Sequence, residues 1–402
     1  MKSLAILTKL VLIYTAVSLD SVVHAETGKL LLHTIVGNQP RELILINQDS
    51  ETTFEFPSEF QLMNRIQVSK KRILSLADSY GVDRKIKSYE WKTGKVSELK
   101  FPQDTGIKIL REFISYMEDL NLTIFQEIHQ VGDQRLFQLE GDKPNYFPHF
   151  DKYRKTVRLD DFLPNGAHLF RILERDRSVQ KLEDPFVGAN DGYSQKVFFC
   201  SSLKCNPEEI LSDRAILSAR FISDGELVVF LTPLSANSDS KSYNLESYDI
   251  KEKKRKKLFT FKVPMKGPSG TYNRGNPIFR VLNQSSLFLL TEEVSDIEDK
   301  IQNWKVVDGR TGKVEDFKVP DGFRFASLLP VGYHKSSNES DKSTLEPYIV
   351  FIKTTYDLKL GILNQLKVIQ LPECKTVLEK EIKGKTVINA MYVSDGEFLS
   401  ER

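Results

Sequence analysis

An all-β fold, a β-propeller of four-stranded antiparallel blades, is what this sequence predicts, and three observations lead to it. The tetrapeptide Ser-Asp-Gly-Glu occurs at 223–226 and again at 394–397, each time after a short apolar run. The segment TGKVSELKFP at 93–102 matches TGKVEDFKVP at 311–320 at six of ten positions without a gap. Finally, units of roughly fifty residues each hold four short apolar runs divided by turn residues, the signature of a blade that packs against copies of itself. Seven blades, with six as the alternative, account for the chain after its first 25 residues.

Those first residues read differently. Lys2 and Lys9 precede the apolar stretch Leu10–Val17, and Val23-His24-Ala25 puts a small residue before a cleavage point. The stretch is shorter than the roughly 20 residues that cross a bilayer. A signal peptide ending at Ala25 is expected, with 26–402 forming a single propeller domain that is periplasmic or secreted and has no membrane span.

The strands then follow in order. KLLLHTIV, RELILINQ and TTFEFP form a three-strand unit without a first strand, and INAMYV near the C-terminus supplies it, so pairing of the two termini is expected to close the ring. RIQV, ILSLADS, IKSYEW and VSELKFP make a complete unit. Beyond it the repeat fades: Ile109, Leu110, Phe113, Ile114 and Met117 fall at helical spacing and predict a helical insertion near 107–120. TIFQEIH, QRLFQLEG, TVRLDD, HLFRILERD and KVFFCSS suggest two irregular blades. Clear repeats resume with ARFI, ELVVFLT, LESYDI and KLFTFKVP, then IFRVL, LFLLTEE, NWKVVD and VEDFKVP. The last unit holds YIVFIKT, NQLKVIQL and TVLEKEIKG, after a Ser-, Lys- and Asn-rich insert at 332–346 that reads as a disordered excursion.

The turns carry a resemblance. Ser223-Asp224-Gly225, Ser394-Asp395-Gly396 and Pro164-Asn165-Gly166 stand between first and second strands, and Thr93-Gly94-Lys95 and Thr311-Gly312-Lys313 between third and fourth. This punctuation resembles the TolB-like, WD-repeat-like propellers of bacterial envelopes, over most of 26–402. The resemblance implies a periplasmic binding protein; its motifs are structural turns and bring no catalytic residue with them. TolB proteins also carry an N-terminal α/β domain for which this chain has no room, so their partners are not carried over.

Chemistry is sparse. The 57 basic and 55 acidic residues leave a net charge of +2, and loss of Lys2, Lys9 and Asp20 with the leader makes them 55 and 54, so no nucleic-acid partner is implied. The six histidines lack metal-ligand spacing, GPSG at 267–270 is not a nucleophile elbow, and neither cofactor nor metal is expected. Cys200 and Cys205 are close enough to pair in an oxidising compartment, leaving Cys374 single. The run KEKKRKK at 251–257 reads as a solvated hairpin, and the aromatics Tyr146, Phe147, His149, Phe150 and Tyr153 as core.

The expected function is a non-catalytic, monomeric scaffold that binds an envelope protein or glycan; the alternative is a hydrolase or lyase with its site at the mouth of the ring. Long connections between second and third strands and between blades are where binding residues concentrate. They include SANSDSKS at 235–242, and the candidates are Tyr272, Asn273 and Arg274 with Glu292, Glu293, Asp296 and Glu298 in the adjacent blade.

Overall fold

The chain is described by a computed structural model, whose described residues lie between 29 and 393. The segments 1–28, 77–84, 101–108, 118–121, 130–133, 148–156, 176–192, 265–278, 292–301, 327–347 and 394–402, with breaks of one to three residues in other connections, fall outside that description. The described residues are all-β and form a propeller of four-stranded antiparallel sheets, seven of them.

Sheet one contains β1 (Lys29–Ile35), β2 (Glu42–Ile46) and β3 (Glu51–Thr53). Sheet two contains β4 (Arg65–Val68), β5 (Arg72–Leu76), β6 (Lys85–Glu90) and β7 (Val96–Lys100). Sheet three is β8 (Ile109–Met117), β9 (Leu122–His129), β10 (Gln134–Glu140) and β11 (Lys143–Tyr146); sheet four is β12 (Val157–Phe162), β13 (His168–Arg175), β14 (Tyr193–Cys200) and β15 (Glu208–Asp213). Sheet five comprises β16 (Ala219–Ile222), β17 (Leu227–Ala236), β18 (Ser240–Asp249) and β19 (Lys254–Pro264), and sheet six β20 (Phe279–Val281), β21 (Leu287–Leu290), β22 (Asn303–Asp308) and β23 (Val314–Lys318). Sheet seven holds β24 (Arg324–Phe325), β25 (Tyr348–Asp357), β26 (Gly361–Gln370) and β27 (Lys375–Lys383), after which β28 (Thr386–Val393) returns to sheet one.

Closure of the ring follows the sequence expectation. β28 pairs antiparallel with β1, from Lys29 opposite Val393 to Ile35 opposite Thr386, with a bulge beside His33 and Thr34. The continuous run Leu30-Leu31-Leu32 is apolar because both faces of β1 are covered. Leu30 and Leu32 pack with Val350, Ile352 and Leu366 of sheet seven, while Leu31 packs with Ile66 and Ile73 of sheet two. Each such leucine, fully buried, stabilises the fold by roughly 1.5–3 kcal/mol.

Every core cluster is of this kind, an apolar layer between neighbouring sheets. Ile222, Val229 and Leu245 meet Phe288 and Val307, and Leu289, Trp304 and Phe317 meet Ile349 and Phe351. First strands line the hub, as shown by contacts of β16 with both β12 and β20. Fourth strands form the rim, where β3 is exposed throughout and the later parts of β19 and β27 alternate between core and solvent.

Two expectations are corrected. The segment expected to be a helix near 107–120 contains the strand β8, paired with β9 from Ile109 opposite His129 to Met117 opposite Leu122. A bulge between Phe113 and Ser115 inserts Ile114, and one extra residue converts a two-residue alternation into the three-and-four spacing that mimics a helix. Likewise SANSDSKS is no long loop: β17 and β18 extend through it, pairing Ala236 with Lys241, so three residues join them. The insert at 332–346 lies outside the described residues.

Candidate functional site

Because the second strands all run the same way, first-to-second and third-to-fourth connections gather at one end of the ring, called the lower end here. Second-to-third connections and links between sheets gather at the upper end. The lower end is consumed by its own hydrogen bonds. In the third-to-fourth turn of sheet six, the Asp308 amide donates to the Lys313 carbonyl and the Gly312 amide to the Asp308 carbonyl, while Asp308 Oδ1 accepts from the amide of Arg310 at 2.8 Å. Sheet two repeats this with Glu90, Gly94 and Lys95. The residue before the lysine is left-handed in both (φ 66° at Gly94, 80° at Gly312), and Lys253 (55°) and Cys374 (54°) hold the same place in sheets five and seven.

These turns also lock onto each other. The amides of Ile250 and Gly309 donate to the carbonyls of Glu226 and Ser286, joining the two turns of sheets five and six. Between sheets, Lys256 Nζ donates to the carbonyls of Arg310 (2.8 Å) and Thr311 (3.1 Å), and Arg310 pairs with Glu226. A Cβ at Gly309 would collide with Cδ1 of Ile222, and one at Gly225 with Cδ1 of Leu163, so glycine is what lets neighbouring sheets approach. The Cys200–Cys205 disulfide closes the third-to-fourth connection of sheet four at this end.

The upper end is built to project. Near the top of three consecutive second strands stands a threonine tied to the third strand. Thr232 Oγ1 donates to Glu246 Oε1 (2.7 Å), Thr291 Oγ1 to the Asn303 carbonyl (3.0 Å), and Thr354 Oγ1 to Asn364 Oδ1 (2.9 Å). The Asn364 amide in turn donates to the Lys385 carbonyl at 2.6 Å. Above these anchors the β17–β18 and β25–β26 hairpins continue outward. Two residues past Thr232 and Thr354 lie Leu234 and Tyr356, 52% and 75% exposed, the two large apolar side chains in solvent among the described residues.

Several buried polar groups hold the walls. Arg171 Nε grips both oxygens of Asp160 (2.9 and 2.7 Å), and its Nη1 reaches Gln195 of β14 and the carbonyl of Ile216 in the link to sheet five. Burial pushes the Asp160 carboxyl up, against the pull of Arg171; burial raises Asp161 as well, although it accepts bonds from the amides of Phe221 and Phe162. Burial also works to raise Glu246, but bonds from Arg255 and Thr232 outweigh it and hold that carboxyl below the ordinary glutamate range.

Two histidines are buried neutral. His168, stacked 5.2 Å from Phe162, donates from Nδ1 to the Gly166 carbonyl, and burial lowers its pKa to about 4. His33 is lowered to about 4 by burial and by the nearby Arg41 charge, and neither ring nitrogen has a hydrogen-bond partner. Of these groups Asp161 ties sheet four to sheet five through the Phe221 amide. Nothing in their geometry presents a nucleophile paired with a base.

The residues expected to border a binding surface, Tyr272, Asn273, Arg274, Glu292, Glu293, Asp296 and Glu298, lie outside the described residues. Glu293 is two positions past Thr291, as Leu234 is past Thr232 and Tyr356 past Thr354. Sequence reasoning missed Leu234 and Tyr356. The repeated threonine after an apolar strand was the available signal. Of the aromatic group at 146–153, Phe147 is core and Tyr146 packs tilted against Phe137 with Arg135 over its ring, while His149, Phe150 and Tyr153 lie outside the described residues.

No family model matches this chain, and no curated protein does. Solved structures do resemble it. An oligogalacturonate lyase in complex with manganese shares 12% identity at a TM-score of 0.46, covering 86% of each chain. The propeller domain of the trilobed protease from Pyrococcus furiosus shares 12% at 0.44, over 88% of this chain and 95% of that one. An uncharacterised Listeria monocytogenes protein shares 12% at 0.43, over 89% and 92%. Likeness at this level concerns the propeller fold and says nothing of activity.

Proposed function

We propose that this chain is an exported, TolB-like propeller that binds a protein partner of the cell envelope with its upper end. The observation that carries the reading is the exposure of Leu234 and Tyr356, each two residues past an anchoring threonine, on two hairpins at that end. A folded chain gains nothing from exposing a leucine and a tyrosine there, whereas isolated aromatic and aliphatic anchors on a fixed scaffold are what dominate protein interfaces. Leucine has little to offer a sugar, which favours protein over glycan. The strands on either side of 265–278 and of 292–301 end at this same end of the ring, and the proposed surface takes in Tyr272, Asn273, Arg274, Glu292, Glu293, Asp296 and Glu298 of those connections.

Chemical crosslinking of the exported chain in its native envelope, followed by mass spectrometry, tests this. Crosslinked partner peptides should map to the upper connections and disappear with the double variant L234A/Y356A. Partner peptides attached mainly to the lower turns, unaffected by that variant, would overturn the proposal.

A further inference from the structure

The run KEKKRKK forms the third-to-fourth turn of sheet five and the start of β19, and every residue from Lys251 to Lys257 is exposed. Six are basic against the single Glu252, a local charge of +5, and Lys262 stands exposed further along the same strand. Because β19 is a fourth strand, this charge lies on the outer rim. Protecting an outer edge from pairing calls for charge, but not for charge of one sign. The fourth strands β7, β23 and β27 mix lysines with acids and β15 is acidic, whereas β19 holds four lysines, an arginine and no acid.

The nearby acids are already answered. Glu208 pairs with Lys253 (2.6 Å), Glu246 takes two bonds from Arg255 (2.6 and 3.0 Å), and Glu226 pairs with Arg310 of sheet six. Lys256 is held by the carbonyls of Arg310 and Thr311, which are neutral and leave its charge unbalanced. Lys251, Lys254, Lys257 and Lys262 make no hydrogen bond or ion pair, although the Lys257 charge acts on Glu246. Glu252 and Asp249 offset only part of this surplus.

The form of the charge selects its partner. Arginine forks suit a fitted oxyanion site, and the one arginine here is taken by Glu246; lysine is a hydrated point charge on a flexible stem, which attracts without fitted geometry. A turn on an outer edge is convex, and its side chains splay apart, Lys253 toward Glu208 of sheet four and Lys256 toward sheet six. A flat anionic surface meets such an edge at several points at once, whereas a chain-like polyanion is held best in a groove. We propose that the outer edge of sheet five, from Lys251 to Lys262, is a docking surface for a bilayer rich in anionic phospholipid. Each lysine near that surface adds an increment of attraction, which salt screens away. The charge is densest at the lower end, so contact leaves Leu234 and Tyr356 clear at the upper end, and either surface can fail without the other.

Co-sedimentation of the full exported chain with vesicles of mixed phosphatidylcholine and phosphatidylglycerol tests the proposal. Binding is expected in dilute salt, with loss in concentrated salt and little binding to phosphatidylcholine alone. The variant K251Q/K254Q/K257Q/K262Q should bind about tenfold or more weakly. K375Q/K383Q, which removes two exposed lysines of the mixed rim strand β27, and L234A/Y356A should both bind as the parent does. If the fourfold variant does not fold, K251Q/K254Q takes its place, with a loss of about fivefold or more. Parent-level binding by the lysine variant, an equal loss in K375Q/K383Q or L234A/Y356A, or equal binding to neutral vesicles would overturn the assignment. Binding to alginate with none to the mixed vesicles would overturn it in favour of an acidic glycan.

Discussion

The lower turns and the upper hairpins are made by the same repeat, yet they leave their polar and apolar groups in opposite conditions. Below, Gly309, Ile250, Lys256 and Arg310 direct their donors onto neighbouring turns and sheets. Above, the threonine anchors Thr232 and Thr354 are followed by hairpin pairing that runs on to Ala236 and Asp357, and Leu234 and Tyr356 stand exposed on those hairpins. A repeated motif such as TGK therefore marks a place where folding constrains the chain. Residues that vary beyond a repeated anchor mark where the fold makes no demand and a partner can.

Removing the closing strand should break the comparison altogether. Deletion of 386–402 takes away β28, exposing the edge of β1 together with Leu30 and Leu32, whose cover includes Val387 and Ala390. Insoluble or protease-sensitive protein is expected; a soluble product with an unchanged cooperative melt would show that closure is dispensable.

Acid should act next most strongly, through His168 at a lower turn and His33 beside the closing strand. The unfolded imidazoles take up protons near pH 6.5, whereas the buried ones resist until about 4. Protons thus favour the unfolded chain across that window: stability is complete above pH 6.5 and falls as the pH drops, by about 3 kcal/mol per histidine at pH 4. Denaturant melts at pH 7 and pH 4.5 should diverge, and H33Q and H168Q should each narrow the gap. An unaltered gap in both variants would refute the assignment.

The glycine contacts sharpen the lower end specifically. Gly309→Ala and Gly225→Ala should each cost roughly 1–3 kcal/mol by overpacking the seam between sheets, with added strain at Gly225 where φ is +86°. A measured loss below about 0.5 kcal/mol in both would mean that the sheets part easily there.

Smallest in size is Cys374→Gly. Cys374 holds the left-handed place that glycine fills in sheets two and six, so its replacement should raise stability by a few tenths to about 1 kcal/mol in urea titrations. A destabilised variant would show that the Cys374 side chain matters more than its backbone.

The strands and turns of sheets one, two, five, six and seven were legible because Gly94, Gly225 and Gly312 have a conformational reason to recur, and because apolar runs such as Leu30–Leu32 must be covered on two faces. The helix expected near 107–120 was misread for an equally physical reason: the bulge at Ile114 changes the period that a linear reading relies on. SANSDSKS looks like a loop because its residues are polar, yet polar residues suit a hairpin that projects into water.

The division of labour between the two ends is tested most directly by measuring unfolding free energy and crosslinked partner yield side by side for L234A/Y356A and for Gly309→Ala. The upper-end variant should unfold within about 0.5 kcal/mol of the parent and lose the partner, while the lower-end variant should lose stability and keep the partner at temperatures below its melt. Partner yield retained by L234A/Y356A and lost by well-folded Gly309→Ala would contradict it.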